Sequence, residues 1–291
     1  MRSLRGLAVL AVAAGLAAGC GSAAPPQASS TPTSHVPKPA ATVPSARASA
    51  PPASVPASPA PAWPTTARTA SPSHAGYLTA VSVGRHAAYD RVVFTFREGI
   101  PGYTIGYVSE VRSDPQGDLV ALPGQAFLRI VFHPSSAYHS YTGTGSITPI
   151  FPALLQVRTA GDFESYLSFG AGLSQRAGFR VFALTQPYRV VMDVAHASLP
   201  PFPGIWDITT WPQFWAAQVA FNEGHQPWLG SPLMVVQAWA GEHMPNATVS
   251  QAGPNTFKVT EPSTDQQAVI TGTRPVTVGM AQLWVITRIS S

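Results

Sequence analysis

Cysteine is nearly missing from this sequence: of 291 residues only Cys20 is one. A lone thiol excludes an internal disulfide framework. Charge is scarce as well, with Asp, Glu, Lys and Arg together making up 10% of the chain. No Gly-x-Ser-x-Gly elbow and no phosphate-cradling glycine motif occurs. The eight histidines are scattered, and no pair has the spacing of a known zinc motif. His133 and His139 flank Ser135 and Ser136, but a hydrolytic triad also needs a positioned acid and an oxyanion site. Asp162 and Glu164 stand two apart and read as a turn or a solvated strand edge, not as a catalytic pair. The expectation is therefore a non-catalytic protein with no cofactor and no metal.

What is present begins with export chemistry. Arg2 and Arg5 form a short positive region, and Leu7 to Leu16 form an uncharged apolar stretch. That stretch is too short to span a bilayer, which needs about 20 apolar residues. Leu16-Ala17-Ala18-Gly19-Cys20 follows at once, and small residues are what a signal peptidase groove accepts before its cut. The segment resembles the lipobox of bacterial lipoproteins, with Ala17 in the position where Leu is commonest. The resemblance implies removal of residues 1–19, lipidation of Cys20, and attachment to the outer face of the cell membrane. It also implies more than one acyl chain, in keeping with the marginal hold of a single one.

Residues 21–74 are mostly Ala, Pro, Ser and Thr; they hold no acidic residue, and Trp63 is their only aromatic. Such a composition buries too little apolar surface to offset its ordering entropy, so residues 20–74 read as a lipid-anchored, disordered, partly polyproline-II stalk. Its extended limit is roughly 170 Å at about 3.1 Å per residue. The formal net charge of +4 divides unevenly, with Arg2 and Arg5 in the signal and Lys38, Arg47 and Arg68 in the stalk. The remainder is close to balanced, so the basic pI near 9.5 belongs to the N-terminal tail. Nucleic acid, which requires clustered Lys and Arg on a folded face, is not an expected partner.

From His74 the texture changes. All eight Tyr lie between Tyr77 and Tyr188, and six of the seven Trp between Trp206 and Trp284. Two folded units, 75–200 and 201–291, explain that partition. In the first, short alternating runs recur: Tyr77 to Val83, Arg91 to Phe96, Tyr103 to Val108, Ala126 to Phe132, Phe163 to Phe169, Phe179 to Leu184 and Arg189 to Val194. Pro and Gly separate them, as in an antiparallel sandwich or barrel. The ordered pieces Tyr89-Asp90-Arg91-Val92-Val93-Phe94, Pro101-Gly102-Tyr103, Leu122-Pro123-Gly124-Gln125-Ala126-Phe127-Leu128, Gly161-Asp162-Phe163-Glu164 and Pro187-Tyr188-Arg189-Val190-Val191-Met192-Asp193-Val194 carry a resemblance. Over about residues 76–197 the chain resembles AMIN-like domains of actinobacterial envelope lipoproteins. The resemblance implies a β-sandwich that binds or localises at the cell wall through peptidoglycan. Arg91 and Arg189 have two readings, as partners of Asp193 and Asp90 across strands or as ligand contacts.

The second unit reads as small and α+β. Thr209 or Thr210 caps a helix from about Trp211 to Asn222, with Pro212 in its first turn and Gly224 as its stop. Gln218 interrupts the apolar stripe of that helix. Ser231 caps a second helix, with Pro232 first and about His243 last. Strands follow at Ala247 to Gln251, Thr256 to Thr260, Gln267 to Thr271 and Leu283 to Ile289. Trp211, Trp215 and Trp284 read as core. Trp228, in a loop beside His225 and Gln226, is the aromatic placed for recognition. The chain thus reads as mainly β, an AMIN-like sandwich and a Trp-rich α+β domain behind a stalk. Its role is binding at the wall or, alternatively, acting as an adaptor for another envelope protein.

Overall fold

The computed structural model describes residues 61–279 and 282–291. The signal segment, Cys20 and the stalk up to residue 60 lie outside the described residues.

Strict alternation builds the first sheet pair. In β3 (Tyr89–Arg97) the side chains of Val92, Phe94 and Phe96 are buried, while Arg91, Val93 and Thr95 face the other way and stay half-exposed. One sheet runs, in order, β10 (Phe179–Thr185), β11 (Tyr188–Ala195), β3, β2 (Gly76–Arg85) and the short β6 (Ser135–Ser136). The other runs β1 (Arg68–Ala70), β4 (Gly102–Val108), β5 (Ala126–His133), β9 (Tyr166–Leu173), β8 (Leu154–Phe163) and β7 (Ser146–Ile147). The pairings are antiparallel except that of β2 with β6. The inner faces close on one core in which Phe94 meets Phe132 and Phe169 at ring distances of 4.9 and 5.1 Å. The chain is a mainly β protein with its sandwich first, as its alternation implies.

Three expectations about this part need correction. Residues 61–74 are not stalk: β1 pairs with β4 at the edge of the six-stranded sheet, and the Phe179 N–H donates to the Pro64 carbonyl at 3.1 Å. The run Phe163 to Phe169 is not one strand, because Glu164 and Ser165 turn the chain with φ of 48° and 64° between β8 and β9. The long strand β8 was not expected at all.

The outer faces of the two sheets differ. Over the six-stranded sheet, residues 109–125 fold back and cover it. Asp114 takes hydrogen bonds from Ser168 (2.7 Å) and Arg129 (2.6 Å), and Val111, Leu122, Phe127 and Ala160 make a small second layer. Glycine permits this close approach: a Cβ on Gly172 would sit 2.1 Å from the Pro123 carbonyl oxygen. Among the described residues no such segment covers the five-stranded sheet over Arg91, Phe182 and Leu184, of which Leu184 is exposed.

The C-terminal part follows its caps. The helix α1 (Trp211–Asn222) starts at Thr210, whose side chain accepts from the Gln213 N–H, and Gly224 follows its end at φ +84°. The helix α2 (Pro232–His243) starts at Ser231, which accepts from the Met234 N–H. A four-stranded sheet follows, β12 (Thr248–Gly253), β13 (Thr256–Glu261), β14 (Gln266–Thr273) and β15 (Val285–Ser290), in that order. Trp215 and Trp284 are buried in its core together with Phe214, Trp239 and Phe257; Trp211 is half-buried, stacked on Trp215 at 5.1 Å. Leu155 of β8 belongs to this core, not to the sandwich core. Gln218 now has its reason: fully buried, its Oε1 accepts the Gly124 N–H at 3.0 Å and ties α1 to the loop before β5.

Candidate functional site

The strand register alone assembles a row of charge on the open face. Arg180 of β10 lies opposite Asp193 of β11, Asp193 opposite Arg91 of β3, and Arg91 opposite Gly84 of β2. All of these point away from the core, since their sequence neighbours Phe179, Met192, Val194 and Val92 point into it. Asp193 is completely buried beneath its partners. Arg91 donates to it through Nε (2.6 Å) and Nη2 (2.9 Å), and Arg180 through Nε (2.8 Å). The two guanidinium side chains keep 28% and 45% of their surface in solvent, enough to meet a ligand. The hydrogen bond to Asp193 raises the Arg91 pKa above its already high value, against the opposing effect of burial.

Aromatic rings frame these cations. Arg180 lies 4.5 Å from the Trp63 ring, and both Arg91 and Arg180 lie within 5.7 Å of the Tyr89 and Phe182 rings. His86 stacks on Tyr89 at 4.4 Å. Trp63 contacts Tyr89 at 5.6 Å, so a residue from the expected stalk completes the frame. The result is an open patch of flat rings and guanidinium forks, net positive, with one carboxylate sealed beneath it. Rings of this kind stack on the apolar faces of sugars, and the forks match carboxylate or phosphate oxygens.

Of the residues singled out in the sequence, Arg91 lies within this patch. Arg189 shares the face four residues along β11 from Asp193, its guanidinium donating to the Pro187 and Gln186 carbonyls at 3.4 and 3.5 Å. Asp90 points the other way, into the sandwich. Buried, it accepts the N–H groups of Ala153 (2.7 Å) and Leu154 (2.9 Å) and pairs with His196 at 2.8 Å, which bolts the two sheets together. His225, Gln226 and Trp228 belong to the C-terminal part. His225 and Gln226 are exposed, while Trp228 is half-buried in a 3-10 turn (Pro227–Gly230) against the second core. Among the described residues no hydrogen bond, ion pair or ring contact joins them to Arg91 or Arg189. Asp162 holds a loop in place, accepting from Ser136 and the Ala137 N–H at 2.9 and 2.8 Å.

Trp63, His86, Tyr89, Arg180 and Phe182 escaped the sequence reading. One signal was available for Trp63, an indole alone in a run of Ala, Pro, Ser and Thr. Arg180 needs the register of β10 against β11, which no local pattern supplies. Among the described residues no group of three His, Cys, Asp or Glu is placed to hold a metal ion, and no helix is long and apolar enough to cross a membrane. No curated protein and no solved structure matches the chain. Residues 76–196, which carry every part of the patch except Trp63, match the AMIN-like domain family, a binding-type module that points to a role in the cell envelope.

Proposed function

We propose that this chain is a non-catalytic, lipid-anchored envelope protein that binds or positions itself at the cell wall through a peptidoglycan-type glycan. The observation that carries the reading is the open face of the five-stranded sheet, where Arg91 and Arg180 rest among Trp63, Tyr89 and Phe182. A sugar ring stacks on the aromatic surfaces, and a glycan carboxylate meets the outward edges of the guanidinium groups. The lipobox resemblance at Cys20, outside the described residues, supports the same location, with the acyl chains in the cell membrane and the fold on its outer side.

The test is co-sedimentation of the full chain with purified peptidoglycan. Trp63→Ala and Arg180→Ala each should weaken it by about tenfold, the worth of one good stacking or cation–π contact. Undiminished sedimentation of both variants would remove this face from consideration. Sedimentation absent even in the parent chain, with an envelope protein recovered by crosslinking, would replace the wall by an adaptor role.

A further inference from the structure

The arm formed by residues 63–70 lies outside the stretch that matches the AMIN-like family, yet it is built into the charged surface. Its backbone runs against the start of β10: the Pro64 carbonyl accepts the Phe179 N–H, and a Cβ on Gly178 would fall 1.9 Å from the Trp63 carbonyl oxygen. Glycine at 178 is thus what lets the arm lie flat. Arg180 rests on Trp63 at 4.5 Å on the outer face. At the rim of the sandwich two further guanidinium groups share a pair of touching rings: Arg68 of the arm lies 5.9 Å from the Phe179 ring, and Phe179 meets Tyr107 at 5.7 Å. Arg176, in turn, rests on Tyr107 at 4.3 Å.

On the outer face Arg91 and Arg180 share the single carboxylate of Asp193. Arg68 and Arg176 have no carboxylate partner among the described residues. Elsewhere on the surface Arg97 pairs with Glu98 and Arg112 with Glu110. Tyr107 is itself pinned, donating to the Ala177 carbonyl at 2.7 Å and accepting its N–H at 3.0 Å, so Arg176 is held over a fixed ring. Two unpaired arginines held on a pair of touching rings present more than one fork, which suits a chain of repeated oxyanions better than one isolated acid.

We infer that Arg68 of the arm and Arg176, held on the touching rings of Phe179 and Tyr107, form a second subsite that takes an anionic polymer with repeating phosphate or carboxylate groups. This extends the wall-binding reading by adding a polyanion to the glycan, and it makes the arm part of the binding unit.

The experiment measures binding of the full chain, carrying Cys20→Ser so that no acyl chain inserts into lipid, to four probes. These are polyphosphate, polygalacturonate, neutral dextran, and vesicles of phosphatidylglycerol. The expected result is retention by one or both charged polymers, not by dextran, weakening as salt rises. Arg68→Ala with Arg176→Ala should reduce that binding about tenfold, two exposed ion pairs' worth. Arg68→Lys with Arg176→Lys should keep most of it, which a structural role for the rings would not predict. Polyphosphate and polygalacturonate together identify whether phosphate or carboxylate is preferred. Equal binding to dextran, capture by the vesicles alone, or indifference to the double alanine variant would overturn the inference. Peptidoglycan sedimentation that persists while the charged polymers fail leaves the wall reading intact and discards only this subsite; loss of peptidoglycan sedimentation with polymer binding retained does the reverse.

Discussion

Asp193 shows how much one buried carboxylate can organise. It is inaccessible to water, takes three guanidinium hydrogen bonds of 2.6 to 2.9 Å, and sets the position of both arginines on the open face. Asp193→Asn removes the charge while keeping the shape. Breaking a fully buried pair costs roughly 3–5 kcal/mol; here the cost should be about 2 kcal/mol, since both guanidinium groups remain partly in water. Urea unfolding of the variant checks this, and an unchanged midpoint would show that the arginines hold themselves. The same residue explains a limit of the sequence reading. The pairing of Arg91 with Asp193 was foreseen as one alternative, but Arg180 as the second partner was not, because it depends on which residues of β10 and β11 face each other. The basic patch was likewise invisible to a charge count. Residues 75–200 nearly balance as a sum, and only the fold separates paired arginines from unpaired ones.

At the scale of elements, the segment 109–125 is a clamp whose hold depends on pH. Burial pushes the Asp114 carboxyl up, but hydrogen bonds from Ser168 and Arg129, with the charge of Arg129, more than offset this and hold it below the ordinary carboxylate value. A carboxyl lowered in the folded state adds stability above its unfolded pKa of about 3.9, and that stability drains away as pH falls through the folded value. Stability should therefore fall between pH 5 and about pH 3, and Asp114→Asn should lower it at pH 5 while flattening the fall. Unfolding midpoints at the two pH values measure this.

The elements also show where local rules suffice. Both helices were legible within about a turn, because Thr209 or Thr210, Pro212 and Gly224 mark the ends of α1, and Ser231 and Pro232 the start of α2. Strand β8 was not, for a reason in its burial. Leu154, Leu155, Gln156 and Val157 are buried in succession, facing the sandwich core on one side and the second core or covering segments on the other, and two bulges break the period. Alternation is a signal only where one face is wet. Strand β1 was missed because three residues paired through their backbone leave no side-chain pattern.

For the whole molecule, the described residues fall within one compact unit although their hydrophobic side chains form separate cores. Leu155 and Gln218 are two of the links. Gln218→Leu would leave the Gly124 N–H without this acceptor in a buried place, at a cost of roughly 1–3 kcal/mol. For a fold of this size that corresponds to a melting temperature lower by roughly 2–12 °C. Calorimetry should show the shift in a single transition; two separated transitions in the parent chain would show instead that the cores unfold independently.

The docking of Trp63 has a mechanical side. Within the described residues, a pull from the N-terminal side would meet this indole first, and next the three residues of β1. If the proposed anchoring and binding hold, the surface that grips a ligand and the hinge that bears the load would be the same few side chains. A taut tether and an occupied face would then act on one another directly, with cargo at Arg180 bracing the joint most exposed to being peeled open.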